Sequence, residues 1–166
     1  YYKEPALTAS AFDPEGYLKT GDKGEYDHDG YLYITGRIKD QFKTDKGKYI
    51  SPAPIELQLL HNKHIEQACV VGMGIPQPIA LIVLAESGKQ CPRNQLQAEL
   101  NSFLDELNPR LENFEQLEKI IVLRNDWTVE NGLMTPTLKV KRNEIEKIFL
   151  PNYKIWYQMR ERILWE

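Results

Sequence analysis

An α+β fold is predicted for this 166-residue chain, and three observations predict it. Short aromatic and β-branched runs separated by tight turns fill Phe12 to Ile38. From about Asp40 onward, apolar strand patterns alternate with helical stripes, the mark of a sheet with helices packed on it. Between these stretches lies a charged, turn-centred segment that reads as a small hairpin. The expected architecture is a central sheet of about three strands flanked by helices, plus that β-hairpin, with a β-rich segment in front.

The turns come first. Asp13-Pro14-Glu15-Gly16 and Asp27-His28-Asp29-Gly30 both carry turn chemistry, Gly supplying a positive φ and Asp bonding its own backbone. Tyr17 to Thr20 and Tyr31 to Thr35 are strand candidates, and Glu25-Tyr26 with Tyr31 to Ile34 brackets an Asp-Gly turn as a hairpin. Asp40 to Ile50 turns at Asp45-Lys46-Gly47 and forms the charged hairpin, with one face exposed. Ser51-Pro52 then opens a helix, Ser as cap and Pro in the first turn, where no donor is needed. Ile55 and Leu59 supply its apolar face, with Leu60 beside them.

Gln67 to Met73 and Ile79 to Ala85 are strand candidates parted by Gly74, Pro76 and Pro78. Leu96, Leu100, Phe103, Leu104 and Leu107 recur at helical spacing after a capping Asn94, and Asn108-Pro109 ends that helix. Ile120 to Leu123 is a third buried strand, Asn125 to Thr137 a polar turn region, and Asn143 to Phe149 a helix. Beyond Pro151, Ile155, Trp156, Met159, Ile163 and Leu164 suit another amphipathic helix. Core packing is the reading of every one of these stripes.

Composition sets the outer bounds. Hydrophobic residues at 42% and charged ones at 27% are ordinary for a globular protein. A net charge of −3 argues against a mainly electrostatic nucleic-acid binder. No apolar run reaches the length of a membrane span, and Tyr1 to Phe12 is too polar for a signal peptide. The two cysteines, Cys69 and Cys91, are too few for a disulfide framework or a metal site, and Cys69 within an apolar strand reads as a small buried hydrophobe. A cytoplasmic protein is expected, with no metal held by the chain. His28, His61 and His64 lie at turn or helix-end positions and receive no role. Asp27 with Asp29 reads as turn chemistry.

Two stretches gather small, cationic and hydroxyl residues without a packing reason. One is Thr20-Gly21-Asp22 followed by Gly36-Arg37-Ile38-Lys39-Asp40; the other is Thr135-Pro136-Thr137-Leu138-Lys139-Val140-Lys141-Arg142. A carboxylate after a Thr-Gly turn can accept hydrogen bonds from the vicinal hydroxyls of a ribose. An Arg after a glycine can reach a phosphate or the same sugar with its planar fork. A Lys on a Thr/Pro-rich loop is a mobile point charge suited to phosphate oxygens. Singly, each has a plainer reading: Thr-Gly-Asp as a turn, Lys139 to Arg142 as a solvated face.

Together and in this order, these segments resemble the adenylate-forming superfamily of acyl-CoA ligases, luciferases and peptide-synthetase adenylation domains. Tyr17 to Asp22 is similar to the family's Thr-Gly-Asp motif, and Asp29-Gly30-Tyr31-Leu32 through Asp40 to its hinge motif. Lys46 to Pro52, ending at Ile55-Glu56, resembles the loop and helix start that follow the hinge. Thr135 to Arg142 resembles the C-terminal lysine motif, in the Thr-Pro-Thr-Leu-Lys form of the long-chain acyl-CoA synthetases. Lys139 follows Arg37 by 102 residues (139 − 37), a spacing that suits the family.

The resemblance implies roles. Asp22 would bind the ribose hydroxyls of ATP or AMP, with Arg37 assisting at ribose and phosphate. Lys39 would be the hinge about which a small C-terminal domain, residues 39–166, rotates between half-reactions. Residues 1–38 would be the C-terminal remnant of the large AMP-binding domain. Lys139 would be the catalytic residue, bridging carboxylate and α-phosphate during adenylation. The loop around Gly47 would line the CoA channel, while the hairpin's need for a positive φ explains the same glycine equally well. Asp22 as a turn cap and Lys39 as an exposed boundary residue are the plainer alternatives. Lys141 and Arg142 read as solvent-facing or interfacial.

The implied reaction is a long-chain fatty acid–CoA ligation: fatty acid and ATP give acyl-AMP and pyrophosphate, then CoA gives acyl-CoA. ATP with magnesium and CoA would be substrates of the whole enzyme. The family's Gly/Ser/Thr-rich phosphate loop is not found in the sequence, so the chain is expected to be a fragment, inactive without its large N-terminal domain. An adenylating enzyme that loads a carrier protein, and a non-catalytic module gripping a phosphate-bearing ligand or protein, are the alternatives. Trp156, Tyr157 and Trp165 leave a peripheral membrane contact open, with ordinary packing favoured.

Overall fold

The computed structural model describes residues 1–166, and they divide into two compact units, Tyr1–Lys39 and Asp40–Glu166. The first unit begins with a short helix, α1 (Pro5–Ser10), that buries nothing. Its main feature is a two-stranded antiparallel hairpin, β1 (Asp22–Tyr26) with β2 (Leu32–Arg37), in which Tyr26 faces Leu32 and Asp22 faces Arg37. Asp27 makes the turn. Its Oδ1 accepts the backbone N–H groups of Asp29 and Tyr31, each at 2.9 Å, which with Gly30 at φ +85° closes the loop. The strand expected over Tyr17 to Thr20 is absent; Leu18 makes an isolated bridge with Phe12. Turn glycines on either side, Gly16 at φ +90° and Gly21 at φ +80°, leave too short a run to pair further.

The second unit opens with the small hairpin, β3 (Phe42–Lys43) and β4 (Tyr49–Ile50), followed by α2 (Pro52–Leu59) and the strands β5 (Ile65–Val71) and β6 (Ile79–Leu84). Then come a single turn, α3 (Glu86–Lys89), the long α4 (Arg93–Leu107), β7 (Lys119–Val122), α5 (Arg142–Phe149), α6 (Tyr153–Gln158) and β8 (Ile163–Trp165). The sheet runs β5-β6-β7-β8. β5 and β6 are antiparallel, whereas β6, β7 and β8 are mutually parallel, joined by helical crossovers.

Period-two packing explains why β6 is apolar throughout. Ala80, Ile82 and Leu84 face a core shared with α2 and α4, including Ile55, Leu59, Leu96, Leu100 and Leu104. Ile79, Leu81 and Val83 face a second core with Trp127, Ile145, Phe149, Tyr153 and Trp156. The sheet thus separates two hydrophobic layers.

Three expectations need correction. The sheet has four strands, not about three. The helix expected across Ile155 to Leu164 stops at Gln158, and Ile163 to Trp165 return as an edge strand beside β7. The turn between them is held by Lys119, a 2%-exposed lysine whose Nζ donates to the carbonyls of Met159 (2.7 Å) and Glu161 (2.9 Å). Nor do the expected caps bond: the Ser51 hydroxyl accepts from Gln41 Nε2 at 2.7 Å, and Asn94 lies inside α4, which starts at Arg93. Trp156 is packed in the second core, and no helix is long and apolar enough to cross a membrane.

Candidate active-site elements

In the first unit, β1 and β2 bring Asp22 and Arg37 face to face. Arg37 Nε donates to Asp22 Oδ1 at 3.0 Å, with the arginine side chain 66% exposed and the carboxylate 29%. The Thr20 hydroxyl accepts the Asp22 N–H at 3.1 Å, and Gly21 turns the chain so that the pair starts the strand. One Asp22 oxygen and most of the Arg37 fork therefore stay open to solvent. Lys39 is exposed on the short 3₁₀ turn Ile38–Asp40 at the end of this unit.

In the second unit, Lys139 is presented on a tight loop. Met134 and Val140 bridge its base, the Thr135 N–H donates to the Lys139 carbonyl at 2.8 Å, and the Leu138 N–H returns to the Thr135 carbonyl at 2.8 Å. Leu138 sits at φ +58°, an uncommon left-handed conformation for a leucine. The Thr135 hydroxyl accepts the Lys139 N–H at 3.1 Å and pairs with Thr137 Oγ1 at 3.0 Å. The backbone is locked while the Lys139 side chain remains exposed.

The loop leads directly into α5, whose first residue, Arg142, is shielded on most sides, with 13% of its side chain accessible. Its guanidinium donates to the Val70 carbonyl at 2.6 Å and pairs closely with Glu56 of α2; Glu56 Oε1 also accepts the Val70 N–H at 2.7 Å. This corrects the expectation of a solvent-facing arginine. Burial works against its charge, but the Cys69 sulfur and the Glu56 carboxylate outweigh that and hold its pKa above the ordinary value. A signal for this existed: Arg142 leads the Ile145/Phe149 stripe at i+3 and i+7, the buried face of α5. Cys69, beside it, is inert as expected, burial pushing its thiol up to about 12.

Asp40, Glu56, Thr135, Lys139 and Arg142 line an open hollow of about 550 Å³. Of its carboxylates, Glu56 is committed to Arg142 and Glu144 to Lys147 at 2.8 Å. Gly47 lies apart from this hollow, at the tip of the β3–β4 turn. It has φ +80° and donates its N–H to the Thr44 carbonyl at 3.0 Å, so the turn needs a residue free of a Cβ penalty.

A family model for the C-terminal domain of AMP-binding enzymes matches residues 39–161. The chain belongs to that family. This AMP-binding enzyme C-terminal domain, with the preceding unit, is 34% identical to long-chain-fatty-acid–CoA ligase 5 of Mus musculus over 97% of the chain and 26% of the relative. It is 33% identical to long-chain-fatty-acid–CoA ligase FadD15 of Mycobacterium tuberculosis, over 95% of the chain and 29% of that protein. The chain thus spans little more than a quarter of the length of these relatives. Among solved structures, the adenylation domain of a Mycobacterium chelonae carboxylate reductase superposes at TM-score 0.80, with 22% identity over 96% of this chain and 26% of that one, a likeness of fold. The O-succinylbenzoate coenzyme A synthetase of Bacillus subtilis, in complex with AMP, matches at TM-score 0.64 and 26% identity, covering 88% of this chain and 27% of that one.

Proposed function

We propose that this chain is the C-terminal part of a long-chain fatty acid–CoA ligase, and that Lys139 is its adenylation lysine. The parent enzyme activates a fatty acid with ATP to acyl-AMP, releasing pyrophosphate, and passes the acyl group to the CoA thiol with loss of AMP. The observation that carries this reading is the Lys139 loop. A locked backbone presents a free ammonium group, and the next helix is anchored through Arg142 to Glu56 and Val70. The long-chain ligases among the relatives supply the substrate class.

Each role follows from chemistry. Asp22 accepts from the ribose hydroxyls, while Arg37, already oriented by Asp22, keeps donors for ribose or phosphate. As the acyl-AMP bond forms, the attacking carboxylate gives up charge, and negative charge builds on the α-phosphate and the departing pyrophosphate. Lys139 stabilises that charge electrostatically, and its ammonium, unlike a neutral group, does so most strongly at the transition state. Residues 1–38 belong to the large domain and residues 39–166 to a small domain that turns about Lys39. The Gly47 turn lines the CoA channel after the rotation. Magnesium arrives with ATP, and no step here depends on a ligand for it from this chain. The compartment proposed is the cytoplasm.

The experiment is acyl-dependent ATP–pyrophosphate exchange in the full-length enzyme, with and without Lys139→Ala. Loss of a single electrostatic contact of this kind costs about 3–4 kcal/mol, roughly a 10²–10³-fold fall in rate. Unchanged exchange refutes the assignment of Lys139. The 166-residue chain alone is proposed to make no acyl-CoA, and robust activity from it would refute the reading as a fragment.

A further inference from the structure

Away from the Lys139 loop, three segments bring His64, Cys91 and Glu99 together: the turn before β5, the link from α3 to α4, and the first half of α4. One ligand atom from each, a ring nitrogen, a thiol sulfur and a carboxylate oxygen, lie within 4.8 Å of one another. The sequence offers no hint of this, since the residues share no motif spacing and their meeting depends on how α4 crosses the sheet.

The imidazole is the informative member. His64 is only 5% exposed, and its Nε2 meets Glu99 Oε2 at 2.8 Å. In the neutral ring that bond places the proton on Nε2 and leaves Nδ1 with a bare lone pair. Nδ1 is buried and has no hydrogen-bond partner. Nδ1 lies on the side of the ring away from Glu99, so an ion shared with that carboxylate would bind at Nε2, the ring proton moving to Nδ1.

The surroundings are built to hold this ring in place. The His64 N–H donates to Asn62 Oδ1 at 3.0 Å, and the His64 carbonyl accepts from Ala85 N at 2.9 Å. α3 can pack on this carbonyl because residue 88 is glycine; a Cβ there would stand 2.7 Å from the oxygen. The Gly88 carbonyl in turn accepts the Cys91 N–H at 3.2 Å, which sets the thiol beside the ring. On α4, Gln95 Nε2 donates to Glu99 Oε1 at 2.9 Å and aims the carboxylate.

We propose that His64, Cys91 and Glu99 form a binding site for a divalent transition-metal ion of the zinc class. A sulfur, nitrogen and oxygen donor set suits zinc and excludes the hard magnesium ion, which demands oxygen ligands. Zinc bonds of about 2.0–2.3 Å need donors roughly 3–4 Å apart, so the His64–Glu99 pair has only to open by some half an ångström. His64 and Glu99 also line an open cleft of about 510 Å³ with Lys63 and Ser102, which admits the ion and leaves a fourth position for water. The ion would tie α4 to the entry of β5, a structural task unrelated to the Lys139 loop.

Cobalt(II) titration of the reduced, chelator-treated 166-residue chain tests this. One equivalent should produce a thiolate-to-cobalt band in the near ultraviolet with tetrahedral bands in the visible, and zinc should displace it. Cys91→Ser should abolish the near-ultraviolet band and weaken zinc binding at least tenfold, while Cys69→Ser changes nothing. Glu99→Gln and His64→Gln should each weaken zinc at least tenfold, with far-ultraviolet circular dichroism checking that each variant is folded. Zinc should also raise the Tm of the parent chain but not of Cys91→Ser. The site is refuted by a missing band at one equivalent, by a band that survives Cys91→Ser, or by zinc affinity unmoved in both folded His64 and Glu99 variants.

Discussion

The two units of the chain solve the same problem in opposite ways. Asp40–Glu166 encloses a sheet between two hydrophobic layers, and its central strand is buried on both faces. Tyr1–Lys39 has no buried residue at all. Its hairpin leaves Tyr26, Tyr31, Leu32 and Ile34 between 56% and 73% exposed. A hairpin without a core is marginal in water, and contiguous exposed apolar surface of this kind usually has a partner. One consequence is functional. The candidate nucleotide groups Asp22 and Arg37 rest on a hairpin stabilised mainly by its own backbone ladder and the Asp27 turn, while Lys139 projects from a unit with a core of its own.

The widest separation between the units should come from core truncation. Leu100→Ala, at a fully buried position, should destabilise the chain by about 3–4 kcal/mol in urea unfolding, whereas Ile34→Ala should cost less than about 0.5 kcal/mol. Equal losses would mean that the hairpin has a packing role that its exposure does not suggest.

Next is the ion pair under the Lys139 loop. Arg142→Met strands Glu56 and should cost about 3 kcal/mol, whereas the double substitution with Glu56→Met should recover part of that. Thermal unfolding of the four species measures the coupling; additive losses would show that the pair does not act as a unit.

A smaller effect belongs to Gly47. A Cβ there would meet only Lys43 Cε at 3.7 Å, an ordinary contact, so the cost of Gly47→Ala is conformational, about 1–2 kcal/mol. In the full-length enzyme, a rise in KM for CoA beyond what the stability loss explains would favour the channel role over the turn role.

The smallest effect is the pH response of the β1–β2 turn. The Tyr31 N–H, followed by the Tyr33 hydroxyl and then the Asp29 and Gly30 amides, holds the Asp27 carboxyl below its ordinary value of 3.8. The folded pKa is depressed, so its contribution is present above the unfolded value and lost as pH falls through the lower folded one. The Tyr31 amide resonance should therefore shift below pH 3.8, and Asp27→Asn should remove that transition.

Much of this was legible in one dimension. The Asp-Gly hairpin, the Ser51-Pro52 helix start, the apolar runs of β6 and β7 and the leucine stripe of α4 follow from turn chemistry and from periods of two and 3.6 residues. The four motif segments, Asp22 and Lys139 among them, were readable because close backbone approach and phosphate chemistry restrict residue type at fixed order. Other features were not readable. Ile163 to Trp165 carry an apolar pattern that serves a helix or a strand equally, and the free edge of β7 decided in favour of a strand. Arg142 looked like one more member of a basic run until α5 turned its buried face toward Glu56 and Val70.

By itself, then, the sequence determined the fold class, most of the elements and the candidate groups for a nucleotide, because local propensity and side-chain chemistry are properties of adjacent residues. Tertiary structure alone decided the fourth strand, the burial of Lys119, the pairing of Arg142 with Glu56, and the meeting of His64, Cys91 and Glu99. Each of these depends on residues far apart in the chain, whose approach is set by how helices pack across a sheet and is recorded in no local pattern.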